Sequence, residues 1–332
     1  MHTGVHRFLV AVAAGGLARE RRFRRRHLLE EQRVLGPLLI APAVIFVVVV
    51  VGVPLIWAIY LSLTDATGGS LSGNFIGFEN FTDAWHDQNF RNALENTLII
   101  TFASQAIVVV GAAILSHHLV RDFRGKWFVR LLVILPWAAP VALVTIAWLW
   151  ILDSLLSVLS WTLGKMHLLG AVCGAFGVHG CSAANPPPWL GHPKLAMFSI
   201  IVVQAWRILP FAVIIFIAGR ASIPSEVADA ARIDGASALK KLWYVDLPLQ
   251  LPIALVAVLF GIVFTAADFA VVWVLTRGGP FNSTQVLTTW SESIGIESTR
   301  VGAGAAISLY LFPLLLAVTI LMLFFARRAQ VS

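Results

Sequence analysis

Six long apolar segments dominate the chain, and most of the connections between them are short and polar. The segments lie at about 36–63, 92–119, 128–152, 195–219, 252–275 and 302–326. Each is long enough to cross a bilayer, which takes roughly 20 apolar residues in a helix. Backbone groups in hydrocarbon must be hydrogen-bonded within their own segment, so each span is helical. The pattern predicts an all-α membrane protein, a six-span transmembrane helical bundle, with kinks at prolines such as Pro136 and Pro140.

Two connections are long enough to form structure of their own. The segment 153–194 is rich in Gly, Ala and Pro, which predicts an irregular extracytoplasmic insertion. The segment 222–249 is polar and patterned: a helix begins near Pro224, Gly235 ends it in a left-handed cap, and a second helix runs until Pro248. The pattern alone does not distinguish a loop packed under its own bundle from a surface covered by another protein.

The composition excludes a soluble domain. Hydrophobic residues make up 58% of the chain and charged residues only 12%, whereas soluble domains carry about 25% charged residues. The net charge of +7 would also suit a nucleic-acid-binding protein, but the excess lies in short connections, where it sets membrane orientation. No RNA-recognition or zinc-finger motif accompanies it. We therefore expect contact with membrane lipid and no nucleic acid.

The distribution of Lys and Arg predicts that both termini are cytoplasmic. With that orientation, 18 of the 24 basic residues lie on the inner side, as the positive-inside rule requires. Residues 1–35 then form a basic cytoplasmic extension. Its short apolar stretch, Leu9 to Leu17, precedes an arginine cluster instead of following one, so it does not have the order of a cleaved secretory signal.

Catalytic signatures are absent from the sequence. It has no P-loop, so the chain is not expected to bind ATP, and it has no serine-hydrolase, β-lactamase or zinc-protease motif. The ionisable residues Arg207 and Asp268 fall within the fourth and fifth apolar segments. Charges at membrane depth mark functional sites by default, but they also pair with one another structurally. Both interpretations remain open for these two residues.

Cys173 and Cys181 both lie in the 153–194 segment. On an oxidising face a disulfide between them is chemically feasible. A metal site that adds His179 and His192 is an alternative, although the spacing matches no usual zinc pattern. A pair of free thiols is the third interpretation, and we expect no metal.

The 222–249 segment resembles the EAA motif of bacterial ABC importer permeases. Asp229-Ala230-Ala231 is followed after three residues by Gly235, and after nine more by Val245 and then Leu247-Pro248. Asp stands where the family usually has Glu, which preserves the charge, and Val stands where it usually has Ile. In that family the motif forms the coupling helices that dock on the ATPase subunits.

Further motifs indicate the carbohydrate-uptake permeases of the MalF/UgpA type. The segments 75–81 (FIGFENF), 92–97 (NALENT), 135–137 (LPW) and 276–280 (TRGGP) are similar to FVGLxNY, ALxNT, LPW and LTxGGP in that family. The resemblance covers about 36–328, a transmembrane permease domain of the maltose-type fold in the bacterial plasma membrane. It implies four partners: a second permease subunit of the MalG/UgpE type, two ATP-binding subunits and a solute-binding lipoprotein. The chain itself would need no cofactor, and ATP and Mg²⁺ would bind the ATPase subunits.

The resemblance also implies two sets of site residues. The ATPase-coupling residues are Glu226, Asp229, Ala230, Ala231, Asp234, Gly235 and Pro248. The substrate-pathway residues are Arg207, Ile208, Phe211, Gly261, Thr265 and Asp268. The resemblance implies a sugar or sugar-like solute: an oligosaccharide, a polyol or a glycerophospho-compound. Arg207 and Asp268 depart from the uncharged residues of the maltose permease, so the resemblance does not specify a maltose-type disaccharide, and a charged sugar or phosphodiester is an open alternative.

Two alternatives remain beside the sugar importer. One is an ABC importer permease for a non-sugar solute. The other is an ion-coupled secondary transporter, which would need internal repeats and an ion site at midplane. The sequence shows no strong repeat and only one acidic residue clearly inside a span.

Overall fold

The computed structural model describes residues 32–70, 72–120, 122–154, 157–182 and 184–331. In those ranges every regular element is helical, and extended segments pair only at two isolated β-bridges, Thr64 with Phe75 and Thr67 with Ser70. The prediction of an all-helical chain is therefore confirmed. Residues 1–31 of the predicted basic extension lie outside the described residues.

The chain divides into two units, Met1–Tyr60 and Leu61–Ser332. In the first unit, helix α1 (Gln32–Val47) continues through a π-helical turn (Val48–Gly52) into α2 (Val53–Ser62), whose last two residues belong to the second unit. Pro37 and Pro42 lie inside α1. Large apolar side chains such as Phe46 and Ile56 are exposed along this stretch.

The second unit is built from fourteen further helices in the described residues. They are α3 (Glu79–His86), α4 (Gln88–Val120), α5 (Lys126–Ala138), α6 (Val141–Ile151), α7 (Val158–Lys165), α8 (Leu169–Ala175), α9 (Pro193–Ala221), α10 (Ser225–Ile233), α11 (Ala238–Lys241), α12 (Leu247–Ala266), α13 (Ala270–Thr276), α14 (Leu287–Glu292), α15 (Val301–Leu309) and α16 (Leu311–Val331). Two π-helical turns, Leu242–Asp246 and Ser293–Glu297, join α11 to α12 and extend α14.

Helix α9 is the centre of this unit. It packs against α4, α5 and α12, and α12 in turn packs against α16. Apolar side chains of α4 and α9 form the buried interface, among them Val108, Ala112, Ile208 and Phe216. The small residues in this interface let the helix backbones approach closely, which is how helices associate where lipid supplies no hydrophobic drive.

Within the described residues, five helical stretches are long and apolar enough to cross a membrane. They are Leu35–Ser62, Gln88–Val120, Pro193–Ala221, Pro248–Ala266 and Val301–Phe325. The third predicted span is instead a pair of helices, α5 and α6, bent by 103° at their junction. Ala139 is extended and Pro140 precedes the first turn of α6. Proline disfavours a helical conformation in the residue before it, which accounts for a break rather than a kink.

The fifth apolar segment also differs from the prediction. Helix α12 begins at Leu247 and ends at Ala266, and α13 starts only at Ala270. The prediction that Pro248 ends a helix is wrong, because this proline lies in the first turn of α12. Proline is accepted there, since the first-turn N–H groups have no partner within the helix.

The 153–194 segment contains more regular structure than the prediction of an irregular insertion. Its described part contains α7 and α8, and a disulfide joins Cys173 to Cys181. Ser157 accepts a hydrogen bond from the backbone N–H of Ser160 and so caps the start of α7, which is the usual role of serine at that position. Among the described residues no three metal-binding side chains come together.

Candidate coupling loop and polar cluster

Arg207 and Asp268 form a buried ion pair. Arg207 lies in the middle of α9, and its Nη2 donates to Oδ2 of Asp268 at 2.6 Å. The two side chains are only 14% and 9% exposed. The sequence places Asp268 within a span, but the structure places it in the break between α12 and α13. The two residues therefore form a salt bridge with each other, which is compatible with both a structural and a functional role.

Asp268 is held by further contacts. Its Oδ1 accepts a hydrogen bond from the backbone N–H of Val271 at 2.8 Å, a donor in the first turn of α13 that has no partner within the helix. Its backbone carbonyl accepts a hydrogen bond from Oγ1 of Thr288 at 2.9 Å. The carboxylate therefore has a fixed position at the start of α13, a feature that the apolar pattern of the segment hides.

Two glutamines extend this cluster, and no sequence motif points to either of them. Oε1 of Gln204 accepts from Nε and Nη2 of Arg207, both at 3.3 Å. Nε2 of Gln105, from α4, donates to Oγ1 of Thr265 at 3.3 Å. A Cβ atom built on Gly261 would lie 2.3 Å from Oε1 of Gln105. Only glycine leaves room for that glutamine beside α12.

The remaining predicted pathway residues are not all accessible. Phe211 is partly buried, and its ring stacks on that of Trp137 with 5.0 Å between centroids. Phe260 and Phe264 meet Phe211 edge-on, which makes a small aromatic cluster. Ile208 is 1% exposed in the core between α4 and α9. Arg207 and Asp268 thus lie among polar side chains and Phe211 lies among aromatic rings. Ile208 belongs to the hydrophobic core.

The polar 222–249 segment, the coupling loop from here on, is a helical elbow. Helix α10 ends before Gly235, whose φ is +73°. The N–H of Asp234 donates to the carbonyl of Ala230, and the N–H of Ala236 to that of Ala231, both at 3.0 Å. A left-handed residue with such bonds is the common end of a helix, and glycine adopts it without strain. The prediction of a left-handed helix cap at Gly235 is confirmed.

The residues assigned to coupling lie mostly on the surface of this elbow. Glu226, Asp229, Ala230 and Asp234 are exposed, whereas Ala231 is buried. Gly235 is exposed, and a Cβ added there would meet no atom within 4 Å. Pro248 is exposed at the start of α12. The elbow therefore presents small and acidic residues outward.

An ion-pair cluster fixes the end of the coupling loop to the bundle. Asp246, 2% exposed, accepts a hydrogen bond from Nη2 of Arg220, at the C-terminal end of α9. Nζ of Lys241, in α11, lies 3.7 Å from the other carboxylate oxygen. Asp246 was not among the predicted site residues, because its partner Arg220 is 26 residues away in sequence.

Comparison with known proteins identifies the type of chain. Residues 107–331 match the family model described as "binding-protein-dependent transport system inner membrane component". A probable ABC transporter permease of Sinorhizobium fredii is 30% identical over 80% of this chain and 82% of its own length. The sulfoquinovosyl glycerol transport system permease of Agrobacterium fabrum is 28% identical over 86% of this chain and 88% of its own length.

A solved structure shares the fold. It is a chain of a bacterial ABC transporter involved in the import of the acidic polysaccharide alginate, with a TM-score of 0.73 and 18% sequence identity. The match covers 92% of this chain and 99% of that chain. At this identity the likeness concerns the arrangement of helices, and it confirms the predicted permease fold.

Proposed function

Since the chain belongs to the inner membrane components of binding-protein-dependent transport systems, a family of ABC importer permeases, we propose that it moves a sugar or sugar-like solute using ATP hydrolysed by partner subunits. The chain is a multi-pass protein of the bacterial plasma membrane. In this proposal it crosses the membrane six times, with α5 and α6 together forming the third span and both termini in the cytoplasm. The extension 1–35 and the coupling loop are then cytoplasmic, and 153–194 is extracytoplasmic.

The observation that carries the proposal is the coupling loop. Its exposed elbow of small and acidic residues around Gly235 suits a groove on a partner protein. At its end, Asp246 is tied to Arg220 in a nearly water-free position. A rigid-body movement of the loop would therefore pull on α9 and α12 together, and rigid movements across such interfaces are a standard way to switch a protein between two states.

The proposed partners are those that membership of this family implies. Two ATP-binding subunits hold ATP and Mg²⁺, a second permease of the MalG/UgpE type completes the pathway, and a solute-binding lipoprotein delivers the solute. No catalytic residue is assigned to this chain. An ion-coupled secondary transporter would have no use for a loop of this kind, and it is the weaker alternative.

We assign the solute pathway to the polar cluster around Arg207 and Asp268, with Phe211, Gly261 and Thr265 nearby and Ile208 as packing support. Carbohydrate hydroxyls need multidentate polar groups and an aromatic surface, and Asp268, Arg207 and Phe211 supply both. The Agrobacterium relative is a permease for sulfoquinovosyl glycerol, which supports the sugar class. A non-sugar solute is the second candidate.

A substitution in the coupling loop tests this proposal. Gly235→Asp places a negative charge on the exposed elbow, where a Cβ meets no neighbour in this chain. We expect the variant to insert normally but to lose co-purification of the ATPase subunits, solute-stimulated ATP hydrolysis, or both. Retention of both at wild-type levels would exclude the role assigned to the loop.

A further inference from the structure

The 153–194 insertion contains a cavity that the pathway does not use. Its volume is about 550 Å³, within the range of about 300–1,000 Å³ typical of small-molecule sites. It lies between α7, the turn after α7 and the chain near Ser182. Its lining includes Ser157, Ser160, Trp161, Lys165, His167 and Ser182. None of them belongs to the polar cluster or to the coupling loop.

The walls of the cavity are fixed by buried contacts. The indole Nε1 of Trp189, 2% exposed, donates to Oγ of Ser160 at 2.8 Å. Oγ of Ser157 donates to the carbonyl of Ile151 at 2.6 Å, which ties α7 to the end of α6. Trp189 also packs in an apolar cluster with Leu195. The hydroxyl-bearing wall is therefore anchored to the bundle, and such preorganisation lowers the entropy lost on binding.

The same face of α7 also presents an aromatic plane and a positive charge to the cavity. Trp161 is 66% exposed, and Nζ of Lys165 lies 5.8 Å from the centroid of its ring. His167 adds a ring nitrogen to the same cavity. An ammonium beside an aromatic face suits a ligand that has an apolar flank and an anionic group, because charge-assisted hydrogen bonds are about twice as strong as neutral ones.

The charge of the surrounding chain favours an anion. Residues 154–192 contain one lysine and three histidines and no Asp or Glu. The full 153–194 insertion adds Asp153 and Lys194, so it has two lysines to one carboxylate and a net positive charge. A site of one sign of charge attracts ligands of the other sign.

We propose that this cavity binds an anionic polyhydroxylated group, with the hydroxyls facing Ser157 and Ser160, the apolar flank on Trp161 and the anion at Lys165. Two sources share this chemistry: an acidic sugar on its way to the pathway, and the glycerophosphate headgroup of a lipid. Placement of the cavity on the extracytoplasmic side rests on the proposed function. If the ligand is the acidic sugar, the transported solute belongs to the anionic sugars.

The test uses the full chain with its partner subunits in nanodiscs of phosphatidylcholine. Binding of D-glucuronate is measured by saturation-transfer NMR, with D-glucose as the neutral probe. Lys165→Gln removes the positive charge and Trp161→Ala removes the aromatic ring, whereas Lys165→Arg keeps the charge. Lys194→Gln and Trp150→Ala are the matched controls, because both residues are exposed and neither lines the cavity.

We expect glucuronate to bind at least about tenfold more weakly to Lys165→Gln and Trp161→Ala, with near wild-type binding in Lys165→Arg and both controls. Glucose should bind more weakly than glucuronate throughout. A second arm adds phosphatidylglycerol to the nanodiscs. If the headgroup is the ligand, native mass spectrometry will find this lipid retained by the wild type and lost from Lys165→Gln, and glucuronate will compete with it.

The proposal is overturned if Lys165→Gln and Trp161→Ala change neither glucuronate binding nor lipid retention. Solute-stimulated ATP hydrolysis is measured on the same samples. If hydrolysis is normal while the cavity binds neither probe, only this inference fails. If the wild-type complex shows no stimulation, the proposed function fails by itself.

Discussion

Asp246 and Asp268 lie just outside the two ends of α12, and each forms an ion pair with an arginine of α9. Asp246 pairs with Arg220 at the C-terminal end of α9, and Asp268 pairs with Arg207 in its middle. Helix α12 is thus tied to α9 near the coupling loop and again at the polar cluster. A movement at the loop reaches the cluster through two helices that are joined at two points.

The first prediction concerns the pair near the coupling loop. Asp246→Asn leaves Arg220 and Lys241 without their shared carboxylate in a buried position. Breaking a buried pair by removing one partner costs about 3–5 kcal/mol, so we expect a large drop in the thermal midpoint of the purified complex and loss of ATPase coupling.

Asp122→Asn is the control for this experiment. Asp122 pairs with Lys126 at 2.9 Å, but its side chain is fully exposed, and the hydrogen bond and charge of Lys126 lower the pKa of its carboxyl. Surface pairs contribute little, so the midpoint should not change. Equal midpoints for the Asp246 and Asp122 variants would contradict the role of Asp246.

The second prediction separates structure from transport at the polar cluster. Asp268→Asn leaves Arg207 charged and partly buried, which should destabilise the complex by about 3–5 kcal/mol. The double variant Arg207→Gln with Asp268→Asn removes both charges and should recover most of that stability. Uptake should stay at least about tenfold below wild type in both, because both lack the Asp268 carboxylate that we assign to the solute pathway.

The measurement is solute uptake by the intact complex, with the thermal midpoint recorded in parallel. Recovery of uptake together with stability in the double variant would make the pair purely structural. Unchanged uptake affinity and rate in Asp268→Ala would also show that Asp268 does not belong to the solute pathway.

The third prediction tests the close approach of Gln105 to α12. Gly261→Ala puts a Cβ atom where the amide of Gln105 lies, so the glutamine must leave Thr265 or the helices must separate. Overpacking of this kind costs about 1–3 kcal/mol. Gln105→Ala combined with Gly261→Ala should remove most of the penalty, and a double-mutant cycle measures the coupling. Strict additivity of the two effects would show that the residues do not contact one another.

The fourth prediction tests the left-handed cap of the coupling loop. Gly235→Val forces a β-branched residue to a φ of +73°, at a cost of about 1–2 kcal/mol. Gly235→Asn adopts this conformation readily and serves as the matched variant. Coupling of solute to ATP hydrolysis should fall in the valine variant and persist in the asparagine variant. The same loss in both would assign the effect to side-chain volume instead of backbone conformation.

The sequence predicts those features that depend on local chemistry. Long apolar runs specify the helices, and Gly235 after a short amphipathic helix specifies its cap. The break before α13 is hidden because the apolar pattern continues from Phe269 to Leu275, with Asp268 as the one interruption. A proline can follow the end of one helix or lie in the first turn of the next. The residue type alone therefore did not show that Pro248 lies in the first turn of α12.

Contacts between distant parts of the chain lie beyond such patterns. Arg207 and Asp268 drew attention as charges among apolar residues, so their pairing was one of two expected outcomes. Gln105, Gln204 and Asp246 carry no such signal, since a single polar residue at a helix face is common in any sequence. Their importance comes from partners that only the packing of α4, α9 and α12 brings together.

The central claim is that ATP hydrolysed by partner subunits drives this permease, and proteoliposomes test it directly. The complete complex is reconstituted, the binding protein is added outside, and its co-purified ligand, identified by mass spectrometry, is supplied in labelled form. We predict that uptake requires ATP inside the vesicles and continues when ionophores have removed every ion gradient. Uptake that proceeds without ATP, and that ionophores abolish, would contradict the account.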